Sequence, residues 1–227
     1  MVNNSLLGLV FGVASALIWG GGDFSGGMAA RRLNSFQVMA LTSFTGMAAM
    51  LSLALLTGEA WPRGIDYAWA GAAGAIGAVG IVALFYGLSW RAAAIVAPTS
   101  AVVGTAVPVL VSALTQGLPG PAQSAGILVG AVGIWLVSRS PGEITPEMRR
   151  LFWLAAGSGV CFGTFFVCIA QVQAESLFAP LTISKASASL VALLLLGLRR
   201  LPLPNPRRSP LALLAGLMDT GGNVFYL

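Results

Sequence analysis

Histidine is missing altogether from this 227-residue chain. Its absence excludes Ser–His and Cys–His nucleophile pairs and removes the commonest metal ligand and proton shuttle. Only two cysteines are present, Cys161 and Cys168, seven positions apart in one apolar segment. Two thiols about 10 Å apart along a helix cannot form a disulfide. We therefore expect no metal and no cofactor, and we expect both cysteines to be small packing residues.

Charge is almost as scarce, at 8% of residues, whereas 57% of residues are apolar. A soluble domain has about 25% charged residues, so the composition excludes that class. In place of charge, stretches of about 20 uncharged residues, the length that crosses a bilayer, follow one another almost end to end. Such continuous runs predict helices and exclude the alternating pattern of barrel strands. The sequence indicates an all-α membrane protein, a polytopic helical bundle.

Eight membrane spans are predicted along the chain. They cover residues 6–28, 36–57, 67–90, 92–116, 122–138, 151–171, 179–198 and 211 to the last residue. A polar linker, 139–150, divides them into a first unit of five helices (1–138) and a second unit of three (151–227). Because the last span is still apolar where the sequence stops, we expect the second unit to be incomplete.

Small residues recur at four-residue spacing on several of these spans: Gly8, Gly12, Ala16 and Gly20 on the first, Gly126 and Gly130 on the fifth, Gly159 and Gly163 on the sixth. This spacing lets helix backbones approach closely, in a solvent that offers no hydrophobic drive for association. We expect these faces to pack within the bundle. A homodimer through the same faces is the alternative.

The net charge of +5 comes from arginines in short loops, so it reports membrane orientation rather than nucleic-acid binding. Ten arginines lie in the loops after helices one, three, five and seven. Arg63 alone lies on the opposite side, and Lys185 lies within a span. Because positive loops stay in the cytoplasm, the chain is predicted to cross the cell membrane with its N-terminus outside.

Ionisable groups inside spans cost about 2.5 kcal/mol or more at mid-helix and are functional candidates by default. Asp219 lies near the middle of the eighth span, and Lys185 lies about 10 Å into the seventh. We expect the two to pair, directly or through a substrate, because an isolated buried charge is costly. Snorkelling of the Lys185 ammonium to the interface is the alternative. Asp23, near the end of the first span, is expected to pair with Arg31 or Arg32.

Uncharged residues provide further candidates for a substrate cavity, on weaker grounds than the charged ones. Pro98 and Pro108 are predicted to interrupt the fourth helix, because each removes a backbone donor. Breaks at membrane depth occur where backbone lines a cavity or where Ser and Thr satisfy the freed carbonyl, and Thr99 follows Pro98 directly. Trp19 is an aromatic candidate for a cavity wall, although core packing or interfacial anchoring would also explain it.

An internal repeat relates the two units. Residues 14–21 can be laid over 157–164, and residues 70, 71 and 77 of the third span over 215, 216 and 222 of the eighth. Five spans per unit is an odd number, so the second unit enters the membrane from the other side. The result is an inverted repeat, the arrangement that secondary transporters use for alternating access.

Four segments together resemble the EamA type of the drug/metabolite transporter superfamily. They are residues 19–24 with 29–32, 97–100 with 107–110, 126–134, and 216–219 with Asn223. The resemblance implies a carrier for small metabolites or drugs, built from two inverted five-helix repeats. It also implies that the basic residue of the seventh helix faces a cavity, and it adds Asn223 to the candidates. Nothing in the chain resembles the ninth and tenth helices of that family.

A secondary transporter for a small organic molecule, working by alternating access, is therefore the leading hypothesis. A truncated fragment that does not transport is the alternative. An intramembrane enzyme would need its histidine or a cluster of carboxylates at one interface. A channel would need a repeated filter or a ring of like charge. Neither pattern is visible.

Overall fold

Eight α-helices dominate the computed structural model, which describes residues 2–90, 92–137, 145–173 and 175–226. The helices are α1 (Val2–Ala30), α2 (Ser35–Thr57), α3 (Ile65–Ser89), α4 (Ala93–Gln116), α5 (Pro121–Val137), α6 (Pro146–Ile169), α7 (Phe178–Leu198) and α8 (Pro210–Tyr226). A short 3-10 turn, Pro206–Arg208, precedes α8. These ranges contain no strand, which agrees with the all-α prediction.

Six of the helices have the length and apolarity to cross a bilayer, namely α1 from Leu6 onward, α2, α3, α4, α6 and α7. The other two, α5 and α8, are also apolar but have 17 residues each. Large apolar side chains point outward from the bundle, and Leu17, Leu114 and Leu128 are each more than half exposed. Such a surface suits lipid rather than water, so the polytopic membrane fold is confirmed.

The start of α6 lies earlier than the sequence predicts. We expected the polar linker to run to residue 150, but the helix begins at Pro146. Thr145 caps it, because its Oγ1 accepts a hydrogen bond from the Met148 backbone N–H at 3.2 Å. Proline is favoured in the first turn of a helix, where no intrahelical donor is needed. Arg149 and Arg150 are therefore helical residues rather than linker.

The predicted interruption of α4 is wrong, because the helix continues through both Pro98 and Pro108. The carbonyl that Pro108 leaves without a donor, four residues back, belongs to Gly104. This carbonyl lies against α6, where a Cβ built on Gly163 would be 2.9 Å from it. The freed carbonyl thus lies at a contact between α4 and α6, and the helix is continuous through the proline.

Small residues on α6 form the contact with α4. A Cβ added to Gly159 would lie 2.6 Å from the Ser100 carbonyl oxygen. The small-residue face of α6 therefore packs inside the bundle, as expected. By contrast, a Cβ added at Gly12, Gly20 or Gly126 would meet nothing within 4 Å among the described residues. Gly20 lines a cavity between the helices, and the homodimer through small-residue faces of α1 and α5 stays a prediction.

Two helix crossings near the centre of the bundle repeat each other. Gly74 of α3 presses directly on the Ser184 carbonyl of α7. Gly216 of α8 lies against α2 in the same way, and an added Cβ there would be 2.6 Å from the Thr42 carbonyl oxygen. Gly74 and Gly216 are 142 positions apart (216 − 74), and so are Thr42 and Ser184 (184 − 42). The contact between α3 and α7 therefore recurs as a contact between α8 and α2.

Two buried serines give the same relation for α1 and α6. The Ser15 hydroxyl donates to the Gly222 carbonyl of α8 at 2.8 Å, and the Ser158 hydroxyl donates to the Gly80 carbonyl of α3 at 2.8 Å. The overlay of residues 14–21 on 157–164 agrees with these contacts. The overlay of Gly77 on Gly222 is one turn off, because the equivalent residue is Gly80. Glycines at every third position of α3 made that register ambiguous.

The two ends of the central α2–α7 pair are tied by hydrogen bonds. The Glu59 carboxylate, just after α2, accepts from the backbone N–H groups of Leu177, Phe178 and Ala179 at 2.7–3.0 Å. At the other end, the Gln37 side-chain amide donates to the Pro202 carbonyl oxygen at 2.9 Å. These links fix the antiparallel arrangement of α2 and α7.

Candidate functional site

A cavity of about 630 Å³ lies between the helices and receives residues from all eight of them. Its walls are mainly apolar or small, and this is the usual character of small-molecule sites. Charged and amide side chains are confined to α1, α7 and α8. Six of the eight candidate residues from the sequence line it: Trp19, Asp23, Pro98, Lys185, Asp219 and Asn223. Thr99 and Pro108 do not line it.

The Lys185 ammonium and the Asp219 carboxylate form an ion pair across α7 and α8. Their side chains are only 12% and 22% exposed. The pairing predicted from the sequence is thus confirmed. The snorkelling alternative for Lys185 is not the arrangement in this structure, because the ammonium points to Asp219 inside the bundle.

Asp219 is the centre of a small polar network. The Asn223 side-chain amide donates to the Asp219 backbone carbonyl at 2.7 Å and approaches its carboxylate Oδ1 at 3.5 Å. Residues four positions apart on a helix share a face, which places this amide above the carboxylate. The Trp19 indole N–H of α1 donates to the same backbone carbonyl at 3.3 Å. With the Lys185 ammonium at Oδ2 and the Asn223 amide near Oδ1, both carboxylate oxygens of Asp219 face a donor.

Asp23 of α1 lies against the same turn of α8. A Cβ built on the adjacent Gly22 would be 3.3 Å from Met218 Cβ and 3.5 Å from the Asp219 backbone nitrogen. Its side chain lines the cavity together with Asp219. The backbone approach of α1 and α8 thus brings two carboxylates to one wall.

The expected ion pair between Asp23 and Arg31 or Arg32 is wrong. Among the described residues, the only ion pair is that of Lys185 with Asp219. The Arg31 guanidinium instead approaches the Met28 sulfur, at 3.5 Å. Asp23 lies two helical turns before these arginines and faces the cavity, whereas they are exposed beyond the helix end.

Aromatic rings form part of the cavity wall beside this polar group. Trp19 and Phe166 meet edge to face with ring centroids 5.8 Å apart. Phe166 is also 4.9 Å from the Tyr226 ring and 5.2 Å from that of Phe165. Of these rings, sequence reasoning identified Trp19 alone. Phe165 and Phe166 of α6 line the cavity as well, and no pattern in the sequence distinguishes them from core residues.

The repeat relation exposes cavity residues that sequence reasoning missed. Ser43 and Gly77 also line the cavity. They stand 142 positions before Lys185 and Asp219 (185 − 43 and 219 − 77), at the equivalent places on α2 and α3. The cavity therefore has one charged wall and an uncharged counterpart. The correct repeat register would have pointed to both residues.

No group of three or more His, Cys, Asp or Glu side chains among the described residues is arranged to hold a metal ion. The cavity instead offers an ammonium, two carboxylates, an amide and aromatic rings. These groups suit direct recognition of a small organic molecule.

Comparison with known proteins gives one match. Residues 6–139, which include most of α1 and all of α2 to α5, match the sequence profile of the EamA-like transporter family. No individual curated protein and no solved structure matches the chain significantly.

Proposed function

Because the chain belongs to the EamA-like transporter family, we propose that it is a secondary carrier that moves a small organic molecule across the cell membrane by alternating access. The protein is a multi-pass membrane protein, as its apolar helices require. The N-terminus is proposed to lie outside, on the basis of the arginine-rich loops after the odd-numbered helices.

The observation that carries this proposal is the place of the cavity. It lies where the first five helices meet the last three, and the contacts around it repeat between the two sets. In inverted-repeat carriers the substrate site lies at the repeat interface near the bilayer midplane. Rocking of one set against the other would open such a cavity to each side in turn.

The Lys185–Asp219 pair is the proposed polar anchor or coupling element of this carrier. As a pair the two charges cancel, which lowers the cost of holding either one at membrane depth. A polar substrate or a proton that engages either partner changes this balance inside a partly dry cavity. There, an electrostatic contact is stronger than in water. The pair can thus make the energy of the bundle depend on whether the cavity is occupied.

The experiment is uptake into liposomes containing the purified chain. A defined mixture of amino acids, nucleosides, organic amines and organic acids is supplied outside, and the vesicle contents are read by mass spectrometry. We expect at least one solute to accumulate above protein-free vesicles. We expect that uptake to disappear in a Lys185→Gln/Asp219→Asn double variant, in which neither member of the pair is left charged without the other.

Glu175→Gln is the matched control, because Glu175 is an exposed carboxylate outside the cavity. It should transport like the original chain. Equal uptake by the double variant would remove the ion pair from the mechanism. A chain that moves none of the solutes would contradict the carrier proposal itself.

A further inference from the structure

The cavity holds an unequal number of opposite charges. Two carboxylates, Asp23 and Asp219, face it together with one ammonium, that of Lys185. Among the other described residues that line the cavity, none is ionisable. With all three groups ionised, the cavity carries one net negative charge.

That negative charge belongs to Asp23 rather than to Asp219. Asp219 has the Lys185 ammonium on one oxygen and the Asn223 amide near the other. Asp23 has neither a hydrogen bond nor an ion pair with any residue in the described ranges. Asp23 is half-buried within α1, and a carboxylate partly removed from water is stabilised by a partner of opposite charge. Its side chain lines the cavity, so the partner it lacks is one that the cavity can admit.

The wall next to Asp23 also favours a positive charge. Trp19 precedes it by four residues on α1, so the indole and the carboxylate lie on one helix face, one turn apart. Phe166 packs against the Trp19 ring, with centroids 5.8 Å apart. Aromatic faces attract cations, and they do so more strongly where water is excluded. Asp23, Trp19 and Phe166 thus line one cavity, and a carboxylate beside aromatic rings is a combination that suits a nitrogen cation with an apolar body.

We propose that the molecule carried in this cavity is an organic cation, an amine or quaternary ammonium, and that Asp23 binds its charged nitrogen. This inference rests on the proposed carrier function and names its substrate class. The volume of about 630 Å³ admits a molecule of ordinary metabolite or drug size. The Lys185–Asp219 pair is already neutral, so it does not offer the cation a free charge.

The test is binding to the purified full chain in lipid nanodiscs, with phenyltrimethylammonium as the cation probe and benzenesulfonate as an anion of similar size. Equilibrium dialysis against empty nanodiscs removes the contribution of the lipid. We expect saturable binding of the cation and none of the anion. Asp23→Asn should weaken cation binding at least tenfold, whereas Asp23→Glu, which keeps the charge, should stay within a few-fold of the original chain.

Glu175→Gln again serves as the carboxylate control and should bind the cation normally. A preference for benzenesulfonate, or undiminished cation binding in a well-folded Asp23→Asn chain, would overturn the proposal. Cation binding that depends on Asp23 without liposome uptake would leave this site standing and refute the carrier function. Uptake of a neutral or anionic solute that is unchanged in the Asp23→Asn chain would support the carrier function and refute the organic-cation site.

Discussion

Glu59 acts at a helix that begins 119 residues further along the chain. Its carboxylate accepts three backbone N–H groups at the start of α7, where Leu177 itself makes no side-chain cap. The first N–H groups of a helix have no partner within it, and a negative charge there is favoured by the helix dipole. A residue in the α2–α3 loop thus supplies the N-terminal cap of a distant helix.

We expect Glu59→Gln to destabilise the chain by about 1–2 kcal/mol, because it replaces charge-assisted hydrogen bonds with weaker neutral ones. The apparent melting temperature of the detergent-purified chain would fall by a few degrees. Glu175→Gln, which changes an exposed carboxylate close to the same helix start, should melt like the original. Equal melting of the two variants would show that the Glu59 cap contributes nothing measurable.

The ion pair allows a second prediction at this scale. Lys185→Gln or Asp219→Asn alone leaves one buried charge without its opposite partner, at a cost of about 3–5 kcal/mol. The double neutral variant leaves none. We therefore expect the double variant to unfold at a higher temperature than either single one. A double variant that is less stable than both singles would mean that the two residues do not act as a pair.

Part of this site could be predicted from the residues alone. Lys185 and Asp219 stand out because charge inside an apolar span demands a partner, and each was the obvious partner for the other. The surroundings of Asp23 could not be predicted in this way. The surroundings of the Asp23 side chain depend on how closely α1 crosses α8 at Gly22. That distance is set by the packing of two helices, so the sequence of α1 alone does not reveal it.

At the scale of elements, glycine contacts set how closely the helices approach. Gly74 of α3 touches the Ser184 backbone carbonyl of α7, and a Cβ there has no room unless a helix moves. Gly71, one turn earlier on α3, faces no atom within 4 Å of an added Cβ. The same helix thus offers a closed and an open glycine position three residues apart.

Gly74→Ala should therefore destabilise the chain by about 1–3 kcal/mol or more, the cost of overpacking a close contact. Gly71→Ala should be neutral or slightly stabilising, because alanine favours the helix. Thermal unfolding in detergent and the monodisperse fraction in size-exclusion chromatography would report both. The opposite order of stability would contradict the crossing of α3 and α7 described here.

Most helix bounds were predictable to within a few residues, because the apolar runs have the length of a bilayer. The exceptions have local causes. The early start of α6 depends on the Thr145 cap inside a polar stretch, which hydropathy alone treats as linker. The helix α4 is continuous through Pro98 and Pro108, and the packing of the Gly104 carbonyl against Gly163 of α6 next to Pro108 is a tertiary contact that no feature of α4 itself reveals.

For the whole molecule, the orientation in the membrane is open to direct test. Single cysteines are introduced at Asn205 or at Glu175 in a background in which Cys161 and Cys168 are replaced by serine. In intact cells, an impermeant thiol reagent should label the cysteine at position 175 and leave that at 205 unlabelled. After the membrane is made permeable, both should react. Labelling of position 205 in intact cells would reverse the proposed orientation.

The fold class followed from length, charge and apolar runs, and the division into five plus three helices stays a prediction. The internal symmetry followed only in part. The register of α1 on α6 was correct because Trp19 and Phe162 mark it, but α3 on α8 was misplaced by a turn. Closely spaced glycines carry no side chains by which to align them, and only contacts such as that of Ser158 with Gly80 fix the register.

The two glycine crossings have a mechanical consequence. At Gly74 the helices touch backbone to backbone, and at Gly216 the nearest atoms are the Thr42 backbone and the Thr45 Cβ, so neither contact holds a long side chain between the helices. Tilting about such a point requires no change of rotamer, whereas tilting at an interdigitated contact forces side chains to leave their wells. The contacts at Gly74 and Gly216 are related by the same shift of 142 residues, so they form a matched pair of pivots, one against α7 and one against α2. In the proposed cycle, the interdigitated contacts elsewhere would then resist reorientation. The two glycine contacts would act as pivots while the two units rock against each other.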